Sequence, residues 1–334
     1  MGVHLMSGLP ALAPYDLADL PASLAGGVVA VGNFDGVHRG HAALLQATRD
    51  AAHAAGVPAL VLTFEPHPRT FFRPDEPVFR LTPLAAKARL LNAIGLDGMA
   101  VATFDRALSS TTAEEFVERI LVGRLHLRAA VVGFNFHFGK GRAGTPALLA
   151  EMGTRLGFSV TVFDRVFGEG GEPLSSSAIR DRLAEGDIAG ANRMLGYRWF
   201  VPGEVVAGDR RGRELGYPTA NIRLGGDCRL RHGIYAVRLQ RAGGAIQPGV
   251  ASYGRRPTFG GGPPILEVFL FDFSGDLYGE EVEVTFVDWI RPELAFKDAA
   301  QLVAAMDSDS ARARAILADA GPGTALDLAL ARPA

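Results

Sequence analysis

The sequence predicts two domains: an N-terminal α/β domain built on a parallel sheet, and a C-terminal, mainly β domain, a compact barrel or sandwich with a terminal helix. Three observations lead there. The chain has 334 residues, 48% hydrophobic and 21% charged, enough for two cores at roughly 150 residues per domain. Its first half alternates short apolar runs with helix-length stretches. Its second half strings short strands between Gly- and Pro-rich turns. Alternating strands and helices pack as a parallel sheet covered by helices, whereas closely spaced strands pair antiparallel.

In order, "GGVVAVG" reads as a strand and "HAALLQATRDAAHAAG" as a helix ended by Gly56. "PALVLTF", "DGMAVATF", "RAAVVGF" and "FSVTVF" read as further strands. Between them, "TPLAAKARLLNAIG", "TAEEFVERILVGRL" and "TPALLAEMGTRLG" read as helices. The sheet is therefore Rossmann-like, and a ligand on such a sheet binds beyond the C-terminal ends of its strands. After "AIRDRLAEGD" and a short helix, "IAGANRMLG", strands dominate: "GIYAVRL", "ILEVFLFDF" and "EEVEVTFVDWI". A last helical stretch runs from about Pro292 to Ala320. The boundary falls near Gly186, giving domains 15–186 and 187–325.

The bulk numbers exclude several classes. A formal charge of −2 lacks the basic excess of a general nucleic-acid binder. Cys228 is the sole cysteine, so there is neither an intrachain disulfide nor a thiolate cluster. The first residues carry no Lys or Arg, and Pro10 interrupts their short apolar run, unlike a secretory signal. Met6 stands where myristoylation would want Ser or Thr. No apolar run approaches the length of about 18 residues that a membrane span needs. The expectation is a cytoplasmic protein without nucleic-acid or membrane partners.

"GNFDGVHRGH" (32–41) follows the first strand and opens a helix, where exposed amides and the helix dipole attract phosphate. It has no Walker lysine, and no GxxxxGK[ST] occurs anywhere in the chain. His38 and His41 are spaced i, i+3, on one side of a helical turn. Two imidazoles so placed could donate hydrogen bonds to a phosphoryl group as charge develops on it. An attacking phosphate, with a second pKa of roughly 6, needs no general base. Taken alone, the pair could equally be an ordinary helix N-terminus or two metal ligands. A zinc site would need further ligands, and no second cluster is evident.

Four motifs now stand together: "GNFDGVHRGH", "TFEPHP" (63–68), "GFNFHFGKGRAG" (133–144) and "LSSSAIR" (174–180). They resemble the adenylyltransferase half of prokaryotic bifunctional riboflavin kinase/FMN adenylyltransferases, also called FAD synthetases. The resemblance continues through "GDRRGRELGYPTANI" (208–222), "GIYAV", "RRPTF" and "LEVFLFDFSGDLYG" to "IRPELAF", roughly residues 25 to 310. It implies an N-terminal nucleotidyltransferase domain and a riboflavin kinase-like barrel. His38 and His41 would serve the α-phosphate of ATP. Gly32, Asn33, Phe34, Ser176, Ser177 and Arg180 would bind ATP, and Asn135 would help hold substrate. The residues of "SSSAIRDRL" agree, since serines before a helix present hydroxyls and amides to an anion, though they equally suit a plain cap. Ser177 replaces the family's usual Thr, His137 stands where Arg is common, and "EPHP" could be no more than a rigid turn.

In the second half, Gly208, Gly212 and Gly216 allow close backbone approach to a nucleotide. Thr219 and Asn221, two apart in "GYPTANI", face one way if extended and offer oxygens to Mg²⁺ and phosphates. A loop entering a strand is the plainer alternative. Glu267 interrupts the apolar run "ILEVFLF", which predicts a carboxylate in a buried strand, paired or protonated. Phosphorylating an alcohol requires removal of a proton, and a positioned base contributes roughly 10²- to 10⁴-fold. The alternative is a salt bridge to an arginine. The resemblance implies that Glu267 is the base for the riboflavin 5′-hydroxyl. It further implies that Gly208, Gly216 and Pro218 contact flavin or substrate, and that Thr219 and Asn221 meet Mg²⁺. Riboflavin, FMN, FAD and ATP are then the ligands. "ASYGRRPTF" and Ala295 of "RPELAF" depart from the family's commoner residues without removing any of these groups.

Overall fold

The computed structural model describes residues 12–168, 170–208, 216–241, 244–255 and 264–331; Gly212 and most of "RRPTF" lie outside them. The fold divides into two compact units, Met1–Ser176 and Ser177–Ala334.

Within the first unit, strands β1 (Pro14–Asp16), β2 (Val28–Val31), β3 (Ala59–Glu65), β4 (Gly98–Thr103), β5 (Ala129–Gly133) and β6 (Ser159–Phe163) form one sheet. Its order is β1-β4-β3-β2-β5-β6, parallel throughout. Every residue of "VVAV" in β2 is buried, as expected for a strand covered on both faces. The edge strand β1 is an addition: "PYD" carries no apolar run by which to find it. Helices α1 (Arg39–Ala55), α2 (Pro68–Phe72), α3 (Leu84–Ile94), α4 (Arg106–Ser110), α5 (Ala113–Glu115) and α6 (Pro146–Leu156) connect the strands. Gly56, Gly95 and Gly157 end α1, α3 and α6 in the left-handed conformation that an unbranched backbone adopts without strain. The stretch "TAEEFVERILVGRL" begins as α5 behind a Thr112–Glu115 capping box and continues as a π-helical segment over Phe116–Val122. Its Phe116, Val117 and Leu121 enter the same core as Val29, Leu60, Leu62 and Val132 of the sheet. The unit ends at the start of α7 (Ser176–Glu185).

The second unit follows α7 with α8 (Ile188–Leu195). Strands β7 (Phe200–Val206), β8 (Thr219–Ile222), β9 (Gly233–Arg241), β10 (Gln247–Gly254), β11 (Ile265–Leu270) and β12 (Glu281–Arg291) then close into an antiparallel barrel, ordered β10-β11-β8-β7-β12-β9. Two register shifts in β12, at Phe286/Asp288 and Trp289/Arg291, bend this long strand around the barrel. Helix α9 (Ala299–Asp319) starts later than "RPELAF" suggests, because its N-cap is Asp298, whose carboxylate accepts from the Gln301 amide. Ala313 and Leu317 of α9 pack on Val250, Phe271 and Ile290 of the barrel unit. A further short helix, α10 (Ala325–Leu330), follows.

Candidate active sites

Strand β2 lies between β3 and β5, and the chain leaves it first towards β3 and β4, later returning on its other side as β5. The end of β2 is thus a topological switch point, where α/β sheets open a crevice for ligands. Loop 32–38 leaves β2 there and enters α1. It folds tightly, with left-handed backbone at Phe34 (φ 46°), Gly36 (φ 83°) and Val37 (φ 38°). A bulky and a β-branched residue in that region are strained, and such a conformation persists only where its surroundings impose it. Those surroundings are specific. The Thr63 hydroxyl donates to the Asn33 carbonyl at 3.2 Å, and the Gly36 amide donates to Thr82 Oγ1 at 2.8 Å. The buried Asp35 carboxylate accepts from the Leu81 and Thr82 amides at 3.2 and 3.0 Å, and Ser176 Oγ donates to the Asp35 carbonyl at 2.8 Å.

His38 is the N-cap of α1; its Nδ1 accepts from the His41 amide at 3.3 Å. A neutral His38 therefore carries its proton on Nε2, leaving that nitrogen a donor. The i, i+3 spacing brings the two imidazoles into a stack, 3.7 Å between centroids and 17° between planes. His41 also meets the Phe34 ring edge-on at 5.3 Å, so buried Phe34 acts as a seat for the imidazole. Gly40 leaves the stack uncrowded, since a Cβ there would lie 3.2 Å from the His38 ring. Burial pulls the His38 pKa down to about 4 against the opposing pull of Asp35. Burial also holds His41 well below the ordinary range, helped by repulsion from His38 when that ring is protonated and by the charge of Lys87. Both rings are neutral at pH 7. His41 Nδ1 and Asn33 Oδ1 are buried without a hydrogen-bond partner among the described residues.

Of the other residues anticipated for nucleotide, Gly32 and Asn33 lie in this loop, half-buried. Asn135 is exposed just beyond the end of β5, the neighbouring strand at the switch point. Ser176 is the first residue of α7, with Ser177 exposed and Arg180 half-buried on the turns after it. His67 caps α2, its Nδ1 accepting from the Arg69 amide. Sequence reasoning missed the polar layer beneath the loop. Arg80 forms a two-pronged ion pair with Glu65 at 2.6 and 2.5 Å, and Lys87, fully buried, donates to Thr63 Oγ1 at 3.0 Å. Burial opposes ionisation of Glu65, yet the Arg80 hydrogen bonds and the charges of Arg80 and Lys87 hold its pKa below the ordinary carboxylate value. A lysine inside the apolar helix "LAAKARLLNAI", in a chain with so few lysines, was the available signal.

In the barrel unit the register brings Asn221 opposite Glu267 and Thr219 opposite Phe269 across β8 and β11; Glu267 in turn faces Ser252 on β10. Directly opposed residues share a face, so Thr219, Asn221 and Glu267 stand together on one wall. The expectation of a buried Glu267 is corrected. Strand β11 alternates, burying Leu266, Val268 and Leu270 while Ile265, Glu267 and Phe269 remain half-buried. Period-two alternation gives the carboxylate a route to water that a two-sided buried strand would deny it. Asn221 is only 4% exposed and donates through Nδ2 to the Thr219 carbonyl at 3.2 Å. Gly208 lies against it, and a Cβ there would come within 2.4 Å of that amide. Gly216, left-handed at φ 84°, and exposed Pro218 lead into β8. Between them Tyr217 packs on Phe269 at 4.7 Å, and its hydroxyl donates to Asp307. Among the described residues no group of three or more His, Cys, Asp or Glu could hold a metal ion.

Residues 20–178 match the family model for FAD synthetase, and residues 195–317 that for riboflavin kinase. The bifunctional riboflavin kinase/FMN adenylyltransferase of Escherichia coli K12 is 40% identical over 300 residues, 90% of this chain and 95% of that protein. The chain belongs to the bifunctional riboflavin kinase/FMN adenylyltransferase family. The Pseudomonas fluorescens member is 41% identical over 294 residues, 88% of this chain and 94% of its own. A Streptococcus pneumoniae crystal structure titled as a macrolide-efflux protein has the same fold, with TM-score 0.80 and 30% identity over 91% of this chain and 99% of that one. In this chain, no helix among the described residues is long and apolar enough to cross a membrane. The histidine loop lies in the FAD synthetase match, and the Thr219–Asn221–Glu267 wall in the riboflavin kinase match. The chain is a flavin-cofactor biosynthesis enzyme with both transferase activities.

Proposed function

We propose how the two sites divide the chemistry. At the barrel wall, Glu267 takes the proton from the riboflavin 5′-hydroxyl as that oxygen attacks the γ-phosphorus of ATP, giving FMN and ADP. Thr219 and Asn221 present neutral oxygens, and Gly208 leaves the space beside Asn221 that a Cβ would fill, a donor set suited to a hard cation shared with substrate phosphates. Mg²⁺ held there would neutralise charge on the phosphates. Gly208, Gly216 and Pro218 border the substrate. At the histidine loop, the FMN phosphate attacks the α-phosphorus of a second ATP, and pyrophosphate leaves as FAD forms. His38 and His41 donate to the α-phosphate as its charge grows, and the amides at the start of α1 reinforce them. Gly32, Asn33, Phe34, Ser176, Ser177 and Arg180 form the ATP side, and Asn135 holds the flavin substrate. Neither step passes through a covalent enzyme intermediate. Residues 15–186 and 187–325 serve as the working domain limits, and a cytoplasmic setting completes the reading.

The observation that carries it is the pair of neutral, stacked imidazoles at the α1 N-terminus on the sheet's switch point. The test is a time course with riboflavin, ATP and Mg²⁺, separating riboflavin, FMN and FAD. FMN should rise and then give way to FAD. FMN accumulating without FAD would remove the role assigned to the histidines, and a trapped adenylyl- or phospho-enzyme would overturn direct transfer.

A further inference from the structure

We propose that Lys87 is a positioning residue for adenylyl transfer, holding the strained histidine loop in shape through Thr63 and the Asn33 carbonyl. The inference rests on the adenylyltransferase reading of that loop. Lys87 sits in α3 among Ala86, Ala88, Leu90 and Leu91, all buried, and is itself fully buried. An ammonium taken out of water is costly, and an apolar residue of similar length would fill the space more cheaply. Its hydrogen bond goes to a neutral hydroxyl, Thr63 Oγ1 at 3.0 Å, while Glu65 lies 3.7 Å away and already grips Arg80 with both oxygens. The longer contact is an ion pair that Glu65 shares with Arg80, while the shorter one aims a hydroxyl.

Lys87 can only donate, so Thr63 Oγ1 must accept from it, and the hydroxyl proton is directed elsewhere. It points to the Asn33 carbonyl at 3.2 Å. Asn33 immediately precedes Phe34, the first of the loop's left-handed residues. The relay Lys87–Thr63–Asn33 thus anchors the entry to the strained turn, while Asp35 and Gly36 anchor its middle on Thr82. Lys87 also contributes to the positive field at His41, the ring that stacks on His38. Without the lysine, Thr63 regains its rotational freedom and the Asn33 carbonyl loses a fixed donor.

The test uses the full chain and the variants Lys87→Met, Thr63→Val and the double substitution. FMN adenylylation is measured as kcat and KM for ATP, with riboflavin phosphorylation by the same molecules as an internal control. A loop displaced by a fraction of an ångström loses turnover more than binding. Lys87→Met should lower adenylylation kcat by at least about tenfold with KM changed less than about threefold. Thr63→Val, which removes the donor itself, should lower it by at least as much, and the double variant should match Thr63→Val, because both act through one relay. Imidazole signals of His38 and His41 in a ¹⁵N-histidine spectrum should shift in both single variants.

Losses that multiply in the double variant, or a Thr63→Val protein with unchanged kcat and histidine signals, would overturn the relay. Should Lys87→Met fail to fold, seen as a lost melting transition, Thr63→Val decides alone. A wild-type chain that leaves FMN unchanged would instead sink the adenylyltransferase reading. The histidine spectrum of Thr63→Val would then still judge the relay.

Discussion

The two sites are built by opposite means. The barrel wall is set by register alone: β8 and β11 pair, and Asn221 and Glu267 fall opposite one another on a shared face. The histidine loop has no ladder to rely on. Its left-handed Phe34 and Val37 are held by contacts from β3, the segment before α3, and the start of α7. Under the proposed division of the chemistry, the reactions differ in parallel. An alcohol must lose a proton to become a nucleophile, and the wall offers a carboxylate with a route to solvent. A phosphate is ionised already, and the loop offers neutral donors to the developing charge. A site that needs one base can stand on a regular strand. On the proposed reading, one that must aim two rings at oxygens of the same phosphoryl group needs an irregular, over-determined turn.

The strongest break in this comparison is Glu267→Gln. Riboflavin phosphorylation should fall by roughly 10²- to 10⁴-fold, the contribution of a positioned base, while FMN supplied directly is still converted to FAD. Measured rates that fall equally at both sites would refute a role confined to the wall. Next comes His41→Ala, expected to lower FMN adenylylation by about 10²- to 10³-fold, as for loss of a preorganised donor, with riboflavin phosphorylation retained.

A third test uses pH. The folded-state pKa of His38 is about 4, against an ordinary 6.5. Between these values the unfolded chain binds the proton and the folded chain does not, so stability falls as pH drops from 6.5 towards 4. At about 1.4 kcal/mol per pKa unit, His38 accounts for about 3 kcal/mol of that loss at most. Denaturant unfolding of the first unit from pH 7 to pH 4 should show a shallower slope in His38→Gln; an unchanged slope would contradict a His38 buried in its neutral form. The smallest effect is expected from Gly208→Ala, whose Cβ would sit 2.4 Å from the Asn221 amide and push it aside. A loss of a few-fold to about tenfold in riboflavin kinase kcat/KM should follow, from overpacking of about 1 kcal/mol. Adenylylation by the same variant should be unchanged.

The sequence by itself determined both fold classes and most of the strands, and it singled out His38, His41, Thr219, Asn221 and Glu267 as candidates. Those features are local: apolar runs of strand length, glycines ending helices, and polar residues in places where periodicity predicts none. Only the tertiary structure decided their surroundings. Glu267 looked buried because hydrophobic letters flank it, but strand β11 turns alternate residues to opposite sides, and one of those sides is half open. Strand β1 escaped notice because its pairing with β4, not its composition, makes it a strand. The support of the histidine loop was invisible for the same reason. Thr63, Thr82 and Lys87 lie far along the chain from Asn33 and Asp35 and meet them only once β3 and α3 pack beside β2. Strain at Phe34 and Val37 is likewise no property of those letters, since it exists only where distant hydrogen bonds outweigh the local backbone preference.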